Sequence, residues 1–208
     1  MARWDLVGTT VLALLTQRPR HPYDMHRFVL DTHKDYIVGL PRSLYHAIDR
    51  LERDGMIEPA ETSREGRGPE RTIYRITAEG REELAHRVRR MLEHPDSDSA
   101  VMYAGLSIVA ALPVSEAERS LQARAARVEG VIATLDAVLA GLDLPRVLLL
   151  EADYARALRA AELAWLRSAL ADLRSGALAW PDPKMPSGEH AENDTDAHPE
   201  PGGTVTGE

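Results

Sequence analysis

In the first half of the chain, the spacing of apolar residues changes from a helical period to a strand period after residue 53. No other sequence feature constrains the fold as tightly. Between residues 41 and 53 apolar side chains recur every three or four positions, which predicts a helix. The residues with this spacing are Leu44, Ala47, Ile48 and Leu51. Over residues 56–60 and 72–76 the period becomes two, which is typical of strands, and a loop rich in glycine and arginine separates them. The segment therefore predicts a helix followed by a β-hairpin.

Helices are predicted on both sides of this segment. A first helix covers residues 4–15 with Asp5 placed to cap it, and a second begins at Pro22 because proline suits the first helical turn. A fourth helix follows Thr77, which is a good N-cap. This order of elements is that of a winged helix-turn-helix, a fold in which the third helix enters a DNA groove. We expect a mainly α fold with a small β-hairpin wing and an N-terminal winged helix-turn-helix domain over residues 1–93.

The predicted third helix carries polar and aromatic side chains on the face opposite its apolar stripe. Hydroxyl, imidazole and guanidinium groups suit base edges and phosphates, so this face predicts contact with double-stranded DNA. The residues on it are Arg42, Ser43, Tyr45, His46, Asp49 and Arg50. The hairpin adds Arg64, Arg67 and Arg71, which suit phosphate or minor-groove contact. Because winged helices also serve as protein-interaction modules without DNA binding, that alternative stays open on the pattern alone.

Four short motifs follow one another within residues 6–85. They are His-Pro-Tyr-Asp-Met at 21–25, Arg-Ser-Leu-Tyr-His at 42–46, Leu-Glu-Arg-Asp-Gly-Met-Ile-Glu-Pro at 51–59, and the run 67–80. In this order they resemble the PadR family of bacterial transcriptional regulators. The resemblance implies a repressor, adds Tyr23 to the expected DNA contacts, and implies relief by a small apolar or aromatic effector. Arg42 and His46 stand where many relatives have Gly and Pro, so no operator sequence follows from it.

The second half of the chain predicts an antiparallel helical dimerisation domain over residues 100–179, after a polar linker at 94–99. It is rich in alanine and leucine, with a first helix that ends before Pro113. Ser115 and Glu118 predict a capping box for the next helix. That helix carries a heptad seam, which predicts packing against another helix. The residues of the seam are Leu121, Ala125, Val128, Ile132, Leu135, Leu139 and Leu142.

The last predicted helix, from Pro145 to about residue 175, is apolar on two sides and therefore needs two partners. A second subunit as one partner gives a homodimer, whose recognition helices read a pseudo-palindromic operator with half-sites about one helical turn apart. A hairpin within a monomer is the alternative. The residues expected in the dimer are Leu150, Tyr154, Leu158, Leu163, Leu166, Leu170 and Leu173. Trp165 suits either core packing or the wall of an effector pocket between subunits.

Charge and composition limit the remaining partners. The net charge is −8, yet residues 1–90 carry 16 basic against 14 acidic residues, so a DNA-binding domain fits within an acidic chain. Residues 180–208 are rich in proline, glycine and acids and predict a disordered acidic tail. Cysteine and recognisable catalytic or metal motifs are absent, so we expect no cofactor, no metal and no enzymatic activity. Apolar stretches are too short to span a membrane, and we expect a cytoplasmic protein.

Overall fold

Seven α-helices and a two-stranded sheet make up the described part of the chain. A computed structural model describes residues 4–32, 37, 39–63, 71–96 and 98–181, without the side chains of 61–63 and of Arg71. The predicted winged-helix order and the small hairpin are confirmed. The elements are α1 (Leu6–Gln17), α2 (Pro22–Asp31), α3 (Arg42–Arg53), β1 (Ile57–Ser63), β2 (Arg71–Ile76), α4 (Ala78–Glu93), α5 (Ser99–Ser107), α6 (Val114–Gly141) and α7 (Leu150–Ser175).

Local capping explains where the first helices begin and end. The Asp5 carboxylate accepts a hydrogen bond from the Gly8 N–H at 3.0 Å, and the Thr77 hydroxyl accepts one from the Gly80 N–H at 3.0 Å. Both satisfy donors that the first turn of a helix leaves without a helical partner. Helix α3 ends at Arg53, and Gly55 then turns the chain with a φ of 73°, a left-handed conformation that glycine adopts without steric cost.

The antiparallel hairpin joins the end of α3 to the beginning of α4. Ile57 pairs with Ile76, and both are buried beneath the sheet. A short bridge between Arg20 and Tyr74, with both N–H to carbonyl distances at 3.0 Å, adds the α1–α2 connection beside β2. Arg20 thus pairs with β2 as an isolated bridge residue beside the two-stranded sheet. Sequence periodicity did not predict this pairing, because a single residue has no period.

One continuous apolar core runs from the winged helix into the C-terminal helices. Helix α1 contacts α3, α4 and α5, and α4 contacts both α1 and α6. In the winged helix the core contains Leu12, Leu15, Met25, Leu44, Ile48, Leu51, Ile57 and Leu84. From α4 onward it contains Met91, Leu92, Val101, Leu112, Ala117, Leu121, Val128, Leu163 and Leu166. Among the described residues, no helix is both long enough and apolar enough to cross a membrane.

Two predictions about helix boundaries in the second half are wrong. Helix α6 begins at Val114 directly after Pro113, and no side chain caps it, so Ser115 and Glu118 form no capping box. The Glu118 carboxylate instead accepts hydrogen bonds from Gln122 and Arg174. Helix α5 stops at Ser107, and a 3₁₀ turn over Val109–Ala111 completes the segment expected to be one helix.

Helices α6 and α7 pack against each other as an antiparallel hairpin. The beginning of the predicted seam on α6 is buried at Leu121 and Val128, whereas its end at Leu142 is exposed. On α7 the stripe containing Leu163 and Leu166 is buried against the chain's own core. The other stripe, which begins at Leu150, faces outward. Among the described residues, therefore, one of the two apolar stripes of α7 is covered and the other is not.

The residues just after α7 pack against the helices, which differs from the predicted start of the tail. Gly176, with a φ of 75°, ends the helix. Trp180 then packs partly buried against the core, and its Nε1 donates a hydrogen bond to the Leu112 carbonyl at 3.0 Å. Trp180 is therefore attached to the C-terminal helices rather than part of a tail, and the prediction for 182–208 lies outside the described residues.

Candidate nucleic-acid interface

Helix α3 turns one face into the core and the opposite face to solvent. Leu44, Ala47, Ile48 and Leu51 form the buried stripe, and α1 packs against α3. Because the helical period is 3.6 residues, the polar residues between them must lie on the outer side. Arg42, Tyr45, His46, Asp49 and Arg50 are all exposed there, and Ser43 is half-buried at the edge. The structure thus brings together every residue that the sequence placed on this face.

The beginning of the exposed face is partly organised before any ligand binds. The Arg42 Nε donates a hydrogen bond to His46 Nε2 at 3.3 Å, one helical turn away. Because Nε2 is bonded to Arg42, Nδ1 is the ring nitrogen left to meet a base edge or a phosphate. Tyr45 lies beside this pair with its side chain 45% exposed. A planar donor, an imidazole and a phenol therefore stand next to one another on the surface.

Tyr23 is a further exposed aromatic residue, on α2. It is the second residue of that helix, and its side chain is exposed. The His21 imidazole caps the helix, because its Nδ1 accepts the Tyr23 N–H at 3.1 Å. A histidine in this role is not suggested by sequence, since serine, threonine, aspartate and asparagine are the usual caps. The cap fixes the backbone that presents the Tyr23 side chain.

Arg50 differs from the other residues of the α3 face because it is already in an ion pair. Its Nη2 lies 2.5 Å from Asp5 Oδ2, and the same oxygen accepts the Arg87 Nη1 at 3.0 Å. The side chains of Asp5 and Arg87 are partly buried, so solvent screens this cluster less than a fully exposed pair. Arg50 thus links α3 to α1 and α4 within the free protein, and a nucleic acid would have to compete with Asp5 for its charge.

Arg53 is exposed at the last turn of α3, one turn beyond Asp49, and it was not among the residues expected from sequence. The helical period places both Arg53 and Arg42 near the middle of the outer face. The spacing of 42, 46, 49 and 53 carries this signal, because these positions follow one another at helical intervals of three and four. Arg53 belongs with the candidate contacts.

The wing residues selected from sequence mostly lie outside the described residues. Arg64 and Arg67 are in this group, and Arg71 is described only as the first backbone position of β2. The base of the wing is described, and Tyr74 joins it to α3 because its hydroxyl donates to Glu52 Oε2 at 3.2 Å. Burial, and secondarily the charge of Glu52, raises the pKa of Tyr74 above its usual value. Tyr74 therefore stays protonated and holds the hairpin against α3.

The residues expected at a dimer interface separate into two groups on α7. Leu163, Leu166 and Leu170 are buried within this chain, and Leu173 is partly buried, so these four belong to its own core. Sequence could not assign the two stripes because both have helical spacing. Leu150, Tyr154 and Leu158 are more than half exposed on the other stripe, together with Trp165 at 47%.

The described residues were also compared with what a metal site or a small-molecule site requires. Among the described residues, no group of three or more His, Asp or Glu side chains is placed to hold a metal ion. A cleft of about 270 Å³ lies between the start of α1 and α4, lined by Trp4, Asp5, Glu83, Arg87 and Arg90 among others. Its charged groups are largely paired, since Arg87 binds both Asp5 and Glu83.

Comparison with known proteins finds a family similarity in the N-terminal part of the chain. Residues 11–86 match the Transcriptional regulator PadR-like family. The matched segment begins within α1, contains α2, α3, β1 and β2, and ends within α4, so it includes the whole of the exposed α3 face. A search of curated proteins found no match.

Solved structures similar to this chain include proteins whose names contain PadR. Bacillus subtilis PadR in complex with operator DNA is 18% identical, with 80% of this chain and 98% of that chain covered and a TM-score of 0.38. The PadR-like transcriptional regulator BC1756 from Bacillus cereus is 21% identical, with 81% and 98% covered and a TM-score of 0.33. Bacillus subtilis PadR in complex with p-coumaric acid is 16% identical, with 81% and 99% covered and a TM-score of 0.35. All three TM-scores are below 0.5, and the match to the family model covers residues 11–86.

Proposed function

We propose that this chain is a PadR-like transcriptional regulator, the family whose model matches residues 11–86, and that it binds operator DNA through the outer face of α3. One observation supports this most directly. Arg42, Tyr45 and His46 stand together on the exposed face of the helix that this fold places in a DNA groove. Tyr23 on α2 and the arginines of the wing would contact the phosphate backbone on either side. No catalytic role is proposed for any of these residues.

We further propose that the protein acts as a homodimeric repressor in the cytoplasm. The outward stripe of α7, formed by Leu150, Tyr154, Leu158 and Trp165, supports the dimer because large apolar side chains in a row on a helix favour a partner surface. A two-fold axis through such an interface gives a pseudo-palindromic operator. Trp165 would then lie near the axis, where a small aromatic effector could contact both subunits.

The first experiment asks whether the purified chain selects DNA. Genomic fragments retained by the protein are sequenced, and the affinity for the recovered sequence is compared with that for random DNA over a range of salt concentrations. Binding through arginine and phosphate should weaken steeply as salt rises, since counterions are released on binding. A winged helix that serves only as a protein-interaction module would retain no preferred sequence, and that result would overturn the proposal.

Two tyrosine variants then test the α3 face itself. Tyr45→Ala should lower the preference for the operator over random DNA, because losing one good base contact costs about 1–3 kcal/mol of discrimination. Tyr103→Ala is the matched control, since Tyr103 is equally a tyrosine and is exposed on α5 rather than on α3. Equal effects of the two substitutions would show that α3 does not read the operator.

A further inference from the structure

A buried arginine lies where the winged helix meets the C-terminal helices. The Arg124 side chain on α6 is 4% exposed, and its Nε donates to Glu162 Oε1 on α7 at 2.6 Å. Its Nη1 donates to the His94 carbonyl at 2.8 Å and to the Met91 carbonyl at 3.4 Å. One guanidinium group therefore joins α6, α7 and the C-terminal end of α4.

A second arginine completes this junction cluster, which we define as Arg124, Glu162 and Arg159. The Arg159 Nη1 donates to Glu162 Oε2 at 2.6 Å, and its Nη2 donates to the Asp96 carbonyl at 3.3 Å. Trp4, just before α1, reaches the same connection, because its Nε1 donates to Asp96 Oδ2 at 2.9 Å. The connection between α4 and α5 is thus held from the winged helix on one side and from α7 on the other.

The end of α4 is a suitable anchor for these cations. The last carbonyl groups of a helix have no helical partners and carry the negative end of the helix dipole. Arg127 adds a further bond there, from its Nη1 to the Glu93 carbonyl at 2.6 Å. Guanidinium groups of α6 and α7 therefore supply the donors that the last turn of α4 and the residues after it would otherwise take from water.

Such a cluster fixes geometry more strictly than an apolar contact does. A guanidinium group presents its donors in a rigid plane, and a buried charge is costly unless each donor keeps its partner. Arg124 can satisfy the Glu162 carboxylate and the α4 carbonyls together only at one relative placement of α4, α6 and α7. Apolar side chains at the same junction would tolerate small shifts of one helix past another.

We propose that the junction cluster sets the orientation of the winged helix relative to α6 and α7, and thereby the half-site spacing that the homodimer accepts. Arg124, Glu162 and Arg159 are positioning residues in this proposal, because they act through α4 rather than on DNA. The part that concerns spacing rests on the proposed function, whereas the part that concerns orientation does not.

The chain contains a matched control for the cluster. Arg167 on α7 and Glu129 on α6 form an ion pair at 2.8 Å between the same two helices, with the same sequence separation of 38 residues. Both side chains are more than half exposed, and among the described residues their side-chain hydrogen bond is the one that they make to each other. Glu129→Gln therefore removes a carboxylate charge between α6 and α7 without touching the junction, whereas Glu162→Gln removes the charge at the centre of it.

The first measurement needs no DNA. Amide hydrogen exchange of residues 91–94 and of Asp96 is compared in the wild-type protein and in Glu162→Gln, Arg159→Gln and Glu129→Gln, after circular dichroism shows native helix content. We expect at least tenfold faster exchange in the two junction variants and no change in Glu129→Gln. Arg159→Gln serves if Glu162→Gln fails to fold, because Arg159 is less buried than Arg124. Unchanged exchange in a folded junction variant would overturn the proposal.

The second measurement uses the recovered operator with the separation of its half-sites changed one base pair at a time. We expect the wild-type protein and Glu129→Gln to prefer one separation by more than tenfold. The junction variants should bind all separations within threefold of one another. A wild-type spacing profile in junction variants with fast exchange would refute the link to spacing. If the wild-type protein binds no operator, the proposed function fails, and the exchange result alone decides on the orientation.

Discussion

Gly80, the third residue of α4, allows that helix to touch the hairpin, and replacing it with alanine should be costly. A Cβ atom at this position would lie 2.1 Å from the Met56 carbonyl oxygen and 2.8 Å from Ile76 Cγ1. The carbonyl cannot turn away freely, because it also accepts the Thr77 N–H at 3.1 Å. The clash is therefore with fixed backbone, and α4 would have to move away from the end of α3.

The change in the free energy of unfolding is the sum of two destabilising terms and one stabilising term. Overpacking costs about 1–3 kcal/mol, and displacement of α4 weakens the Thr77 cap, which is worth about 1 kcal/mol. Alanine in place of glycine in a helix returns about 1 kcal/mol. We expect Gly80→Ala to lower the free energy of unfolding by about 2 kcal/mol, and the Tm by about 4–8 °C for a chain of this length.

Urea unfolding followed by circular dichroism measures this change against a control with the same substitution. Gly130 lies on α6, where an added Cβ atom would meet no described atom within 4 Å beyond its own helix backbone. Gly130→Ala should therefore raise the free energy of unfolding by about 0.5–1 kcal/mol. Opposite shifts of the urea midpoint in the two variants are expected. A Gly80→Ala protein as stable as the wild type would refute the close approach of α4 to the hairpin.

Three further predictions concern the hairpin, α7 and the chain end. Because the pKa of Tyr74 is raised in the folded protein, its contribution to stability is present below pH 10 and is lost as the pH rises further. The urea midpoints of the wild-type protein and of Tyr74→Phe should therefore converge at alkaline pH. Leu166→Ala should cost about 2–5 kcal/mol of unfolding free energy, whereas Leu158→Ala should leave stability nearly unchanged and weaken self-association in sedimentation velocity. Trp180→Ala should lower the Tm by a few degrees, since it removes a partly buried ring and about 1 kcal/mol of hydrogen bonding, and an unchanged Tm would contradict its docking.

Sequence predicted the elements whose causes are local. Asp5, Pro22 and Thr77 each act on the turn that follows them, so the beginnings of α1, α2 and α4 agree with expectation. The apolar stripe of α3 likewise predicted which face would be exposed. The capping box failed although Ser115 and Glu118 have the right spacing, because Pro113 starts α6 two residues earlier.

Features that depend on residues distant in sequence could not be predicted. Arg50 had the spacing of a DNA contact, yet its partner Asp5 is 45 positions away. Arg124 lies beside the heptad seam as an ordinary surface residue would, and its burial depends on α4 and α7. Trp180 was predicted to be the first residue of the tail. Its hydrogen-bond partner Leu112 lies 68 positions earlier in the sequence, so the contact depends on the fold.

Hydroxyl-radical footprinting on the recovered operator tests most directly whether a dimer reads DNA through α3. We expect two protected half-sites related by a two-fold axis, with centres about 10 base pairs, or one helical turn, apart. Protection should be lost with Tyr45→Ala at protein concentrations where Tyr103→Ala still protects both half-sites. A single asymmetric protected segment, or protection that Tyr45→Ala leaves intact, would contradict reading of the operator by paired α3 helices.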